Sequence, residues 1–175
     1  YLRSNLTFDS FFKEHILTQG HVYQYILGFQ GAERDPLQHA LPFIYSEPVI
    51  AKSIIRYVLE TVTPEGRIPY GITGNGMYMP SPLRPSDQEM WLLWLASEYV
   101  LATRDLQFLK EEVPTYPVYG SKAGRARVRD LLSACYRNIV EHIGTGKHGL
   151  QRLSNGDWND VVVVGYVPQK ERDAI

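Results

Sequence analysis

Gly156-Asp157-Trp158-Asn159-Asp160 sets two carboxylates and an indole within one short stretch. Asp and Trp favour opposite surroundings. A polar, Gly-led loop that holds both offers an apolar platform beside a proton donor. Burial next to Trp158 would lift a carboxyl of this stretch, Asp157 or Asp160, toward neutrality, which a proton donor needs. Asp157 has another reading, as a loop-holding group that accepts backbone N–H bonds. A capped turn around a core tryptophan is the competing account of the whole stretch.

Few other residues compete for chemistry. His21, His39, His142 and His148 show no metal-ligand spacing. The Gly71–Gly76 stretch lacks the lysine and the strand–helix setting of a phosphate loop. Cys135 falls on an apolar helical face and reads as a small buried hydrophobe rather than a nucleophile. Asn5-Leu6-Thr7 fits the N-glycosylation pattern. The 18 basic and 19 acidic residues leave a net charge of -1. That excludes the footprint of a nucleic-acid binder and a polybasic membrane surface. The apolar run at Trp91 is too short to span a bilayer. The compartment is left open, with a cytoplasmic setting as the working expectation.

The frame for these residues reads as helical. Its 175 residues, 44% of them hydrophobic, amount to one domain with a real core. Asp9 is expected to cap a short helix running through Leu17. Pro36 suits a first helical position, opening a helix to about Tyr45. Pro48 opens a clearer one, with Ile50, Ile54, Val58 and Val62 in one row and Ala51, Ile55 and Leu59 in the next. Pro64-Glu65-Gly66 ends it, and a long Gly- and Pro-rich loop, Arg67–Pro85, follows. Ser86-Asp87-Gln88-Glu89 is a capping-box sequence, which makes Asp87 part of a cap. The helix it opens is apolar all round from Met90 to Ala96, so Trp91 and Trp94 are expected in the core. Asp105 is placed to cap a short helix before Pro114. A last helix is expected over Arg125–Ile143, with Val128, Leu131, Leu132, Cys135, Ile139 and Val140 on one face and Gly144 at its end. Val161–Val164 is the one β-like run. Helical hairpins packed in layers are the expected architecture. The chain starts at Tyr1 without a methionine or signal peptide and stops at Ile175, so it reads as a piece of a longer protein.

Five stretches occur in the order of a known family. They are Gly28-Phe29, Arg34-Asp35-Pro36-Leu37-Gln38, Ser86-Asp87 with Trp91-Leu92, Thr103 to Pro114, and Gly156 to Asp160. Together they resemble the cellobiose and chitobiose phosphorylases of glycoside hydrolase family 94. Three details depart from that pattern. Gln30-Gly31-Ala32-Glu33 is inserted before Arg34, His39 follows Gln38 where the family usually has Asp, and Val161 follows Asp160 where Gly is common. The resemblance implies an all-α fold, with residues 1–175 an incomplete piece of an (α/α)6-barrel catalytic domain, a six-hairpin glycosidase architecture. It implies glycosidic bond cleavage with inversion, by phosphorolysis or hydrolysis.

Inversion needs an acid to protonate the leaving oxygen and a nucleophile delivered from the opposite face of the sugar. The resemblance assigns the acid to Asp160. It assigns Arg34 and Asp35 to the hydroxyls of the sugar in the non-reducing subsite, where a few fixed charge-assisted hydrogen bonds are needed. A salt-bridged helix start is their alternative, since Asp before Pro36 is also a good N-cap. Trp158 would face a sugar's C–H surface or else serve as core, and Asp157 would hold the loop. His39 is close enough in sequence to line the same site. The expected substrate is an oligosaccharide or other glycoside, with no cofactor and no metal, and with inorganic phosphate as co-substrate for a phosphorylase. No nucleic-acid or membrane partner is expected, and a homodimer is the expectation for the full-length protein. The isolated chain is expected to be inactive. The alternative is a non-catalytic carbohydrate-binding or scaffold domain, which would use Trp158, Arg34 and Asp35 but not Asp160.

Overall fold

The computed structural model describes residues 2–18, 33–73, 78, 84–115, 124–153 and 165–172. Helix α3, Pro48–Leu59, lies at the centre. Its two apolar rows bury Ala51, Ile54, Ile55, Val58 and Leu59, with Tyr57 beside them. Pro48 starts it at a position whose N–H would have no helical partner anyway. Around α3 pack the ribbon of β1 (Leu6–Asp9) and β2 (Glu14–Leu17), α1 (Arg34–Ala40), α2 (Phe43–Ser46), α4 (Gln88–Thr103) and α5 (Val128–Arg137). Leu17, Leu37, Ile54, Leu92, Leu95, Phe108 and Val128 join one continuous core.

The described residues are mainly helical, and two antiparallel ribbons among them depart from the all-α expectation. The first lies where a helix was expected after Asp9. The Asp9 carboxylate does accept the N–H groups of Phe11 and Phe12, as a helix cap would. Lys13 then takes a left-handed backbone with φ of 59°. That reverses the chain, and Glu14–Leu17 pairs back on Leu6–Asp9. The second ribbon joins β3 (Glu112–Thr115) to β4 (Gly124–Arg127). It takes Arg125–Arg127 out of the expected last helix, so α5 begins at Val128.

Other boundaries shift for local reasons. The segment expected as one helix from Pro36 divides into α1 and α2 around Leu41 and Pro42. Pro36 is the third residue of α1, still inside the first turn where its missing N–H costs nothing. Asp105 accepts the Phe108 N–H at 3.1 Å and holds a single 3-10 turn, Phe108–Lys110. Beyond α5 the helix widens into a π-helical turn, Asn138–Ile143, closed by Gly144 at φ 66°. Asn138 continues the buried face of Leu131 and Cys135 at ordinary helical spacing, and Val140, inside the wider turn, is half exposed. Met90 and Trp94 on α4 are also about half exposed, which corrects the expectation of a helix buried on most sides with Trp94 in the core. Their neighbours Leu92, Leu95 and Ala96 are buried. Val161–Val164 lies outside the described residues.

No helix among the described residues is long and apolar enough to cross a membrane. No group of three or more His, Cys, Asp or Glu among them could hold a metal ion.

Candidate active site

Arg34 and Asp35 stand together on the first turn of α1. Neither acts as the helix cap. Glu33 occupies that position, and Asp35 falls inside the turn, where a carboxylate favours the positive end of the helix dipole. The Arg34 guanidinium reaches across to α4 and donates to Asp87 at 3.3 Å. Both side chains are mostly buried, at 12% and 17% exposure. A partly buried pair is screened less by salt than a surface one, so it fixes the guanidinium's orientation. Asp35 Oδ2 is closed off from solvent and takes no hydrogen bond among the described residues.

The capping box is corrected by this contact. The Asp87 side chain makes no cap hydrogen bond at α4. Glu89 does not reach back to Ser86 either. Its Oε1 accepts the Ile68 N–H at 2.9 Å and an Asn138 side-chain N–H at 3.3 Å. Between them, Gln88 donates to the Tyr70 carbonyl at 3.3 Å. Three successive side chains of the α4 start thus face α1, the segment after α3, and the end of α5. Tertiary partners outcompete the local cap because each satisfies a group that burial would otherwise strand.

Burial shifts the acids of this region. Glu89 is almost fully buried, and desolvation pushes its carboxyl up to about 7, against the pull of the Ile68 N–H and Arg67. Glu33, fully buried just ahead of Arg34, is raised well above the carboxylate range by desolvation, then by Asp35 and Asp9. Neither Glu33 oxygen has a hydrogen-bond partner among the described residues, so the neutral acid is the form that fits. Sequence reasoning gave neither glutamate a role in this way. The one local signal was three polar residues, Asp87 to Glu89, heading an otherwise apolar helix.

His39 lies one turn beyond Asp35 on α1 and is partly exposed. Asp157, Trp158 and Asp160 lie outside the described residues, as do Gly28 and Phe29. The chain leading toward them is anchored: Gln151 donates its side-chain N–H to the Ser86 carbonyl, one residue ahead of Asp87. Cys135 is buried, and burial raises its thiol far above the nucleophilic range.

A helical frame with a mostly buried arginine–carboxylate pair at a helix start does not by itself name a function. The family follows from comparison. The catalytic-domain model of the glycosyl hydrolase 94 superfamily matches residues 24–171, and the chain belongs to that family of carbohydrate enzymes acting on glycosidic bonds. The chain is also similar to the cyclic β-(1,2)-glucan synthase NdvB of Rhizobium meliloti (strain 1021), with 27% identity over 139 residues. That alignment covers 73% of this chain and 5% of the length of that protein.

Proposed function

We propose that this chain is part of an (α/α)6-barrel catalytic domain that cleaves glycosidic bonds with inversion, with Asp160 as general acid. The observation that carries the reading is the family match, which spans both Arg34-Asp35 and Gly156–Asp160. The tie from Gln151 to Ser86 supports it, because it leads the chain toward that loop from beside the Arg34–Asp87 pair.

In this reading Arg34 and Asp35 hold hydroxyls of the sugar at the non-reducing end. Trp158 lies against its C–H face, and Asp157 holds the loop. Asp160 gives its proton to the glycosidic oxygen as the bond from C1 to that oxygen breaks. A phosphate oxygen, or a water whose proton goes to a base elsewhere in the full protein, forms the new bond to C1 from the opposite face. No cofactor enters. A β-linked glucan is the substrate class to try first, given the name of the relative. Inversion of a β linkage then yields an α product, as α-glucose 1-phosphate or α-glucose.

The test uses the full-length enzyme, a β-1,2-linked gluco-oligosaccharide and an aryl glucoside with a good leaving group. Asp160→Asn should cost about 10²–10⁴-fold on the oligosaccharide. The aryl glucoside needs little protonation and should be spared. Asp157→Asn should lower stability more than rate. Full activity of Asp160→Asn on the oligosaccharide would end the proposal and favour a carbohydrate-binding domain without catalysis.

A further inference from the structure

The contacts around α4 close into a ring. Glu89 accepts the Ile68 N–H at 2.9 Å. Two residues on, the Tyr70 carbonyl accepts the Gln88 side chain at 3.3 Å and the Glu33 backbone N–H at 3.2 Å. Glu33 is followed by Arg34, whose guanidinium returns to Asp87 at 3.3 Å. Asp87 is two residues before Glu89. Every link is a hydrogen bond or a short run of chain. The start of α1 is therefore held from two sides, by its backbone at Tyr70 and by its guanidinium at Asp87.

We propose that Glu89 is a positioning residue for the Arg34–Asp35 sugar subsite. It fixes the 67–70 segment that in turn holds the backbone at the head of α1. The inference rests on the subsite reading of Arg34 and Asp35 given above. Geometry limits the alternatives. Glu89 is 2% exposed, enclosed by its partners rather than open to a ligand. Its partner Asn138 opens the π-helical turn on the buried face of Leu131 and Cys135. Glu89 Oε2 has no hydrogen-bond partner among the described residues. The carboxyl thus serves as a one-sided acceptor for Ile68 and Asn138.

The groups facing Glu89 are Arg67 from the segment after α3, Cys135 from α5, and Asp87 from its own turn. Arg67 favours the carboxylate and Asp87 opposes it. Burial sets the balance near neutrality. An ionised acceptor makes roughly twice as strong a hydrogen bond as a neutral one. The grip on Ile68 therefore tightens as pH rises through about 7, and sugar affinity should follow.

The experiment compares wild-type, Glu89→Gln and Glu89→Ala in the full-length enzyme. It measures KM and kcat for a β-1,2-linked gluco-oligosaccharide between pH 6 and 8, with hydrogen exchange over residues 33–40 and 67–73. Glu89→Ala should raise KM about 10-fold with kcat changed less, and should speed exchange in both segments. Glu89→Gln keeps an acceptor and the shape, so it should restore protection. It should also flatten the KM profile that in wild-type falls as pH rises. Unchanged protection of residues 33–40 in Glu89→Ala, or a wild-type pH profile in Glu89→Gln, overturns the proposal with the subsite reading still standing. An Arg34→Ala enzyme of ordinary KM overturns the subsite reading itself.

Discussion

At the scale of single residues, the buried acids set how stability follows pH. Burial holds Glu60 up at about 8 and Glu89 at about 7, from a usual value of 4.5. Glu33 moves the same way. Each binds a proton in the folded chain that the unfolded chain releases. Stability from these groups is therefore full below about 4.5 and is lost as pH rises toward about 8. Asp105, held down by Lys52, works in the opposite sense, but only below its usual 3.8. The two windows do not overlap. Each unit of separation is worth about 1.4 kcal/mol, so Glu89 alone accounts for up to ~3 kcal/mol. Urea unfolding of wild-type should give falling stability from pH 5 to 8. A Glu60→Gln/Glu89→Gln protein should lose much of that slope, and an identical slope would count against the buried-acid account. Gly66 offers a second test. It sits at φ 84°, and an added Cβ would overlap the Ala134 carbonyl of α5. Gly66→Ala should cost about 2–4 kcal/mol, from the left-handed backbone and the forced separation together. A loss under 0.5 kcal/mol in the same assay would mean that α5 does not pack there.

Element by element, the sequence was most legible where a segment's neighbours in space repeat at helical period. Helix α3 declares itself through two full apolar rows, and α5 through Val128, Leu131 and Cys135. The first ribbon was hidden because an Asp that accepts N–H bonds two and three residues ahead reads alike in a helix cap and a tight turn. What decides is the left-handed Lys13, and a lysine gives no warning of it. The second ribbon pairs strands that lie on either side of 116–123, and β-pairing across such a gap has no local signature. The candidate site was legible in the same uneven way. Arg34 and Asp35 stood out only through the resemblance of Arg34-Asp35-Pro36-Leu37-Gln38 to a known family. Their partner Asp87 did not, because Ser-x-x-Glu already supplies a satisfying local account. The π-helical turn has no signature in the residues from Asn138 to Ile143, and the buried pairing of Asn138 with Glu89 was equally hidden.

For the whole molecule, the surface of α4 carries a quantity of apolar area that a lone domain does not need. Met90, Trp94 and Leu101 recur along one side, each about half exposed. Trp94 stacks on Trp91 with ring centres 5.0 Å apart. An apolar groove lined by Leu93, Leu109, Leu132 and Tyr136 lies between α4 and α5 and includes none of the site residues. A helix apolar on every side belongs to the interior of a larger body. The proposed barrel supplies one, since further hairpins would cover the stripe. The 175-residue chain alone should therefore self-associate in sedimentation at tens of micromolar. Trp94→Glu with Leu101→Lys should make it monomeric while shifting the melting temperature by only a few degrees. A wild-type chain already monomeric at that concentration would argue for a surface that needs no cover.

The hydrogen-bonded ring around α4 also has a consequence in time. It links Glu89 to Ile68 across 21 positions and Arg34 to Asp87 across 53. Loops of that length close late, after the helices they join have formed and met. The site's frame should thus be absent from the folding transition state. Arg34→Ala and Glu89→Ala should speed unfolding and leave the refolding rate nearly unchanged, with φ-values below about 0.3 in stopped-flow measurements. Refolding slowed in proportion to the lost stability would place the ring in the nucleus instead. On the expected ordering, the head of α1 is the last part of the domain to be assembled and the first to let go.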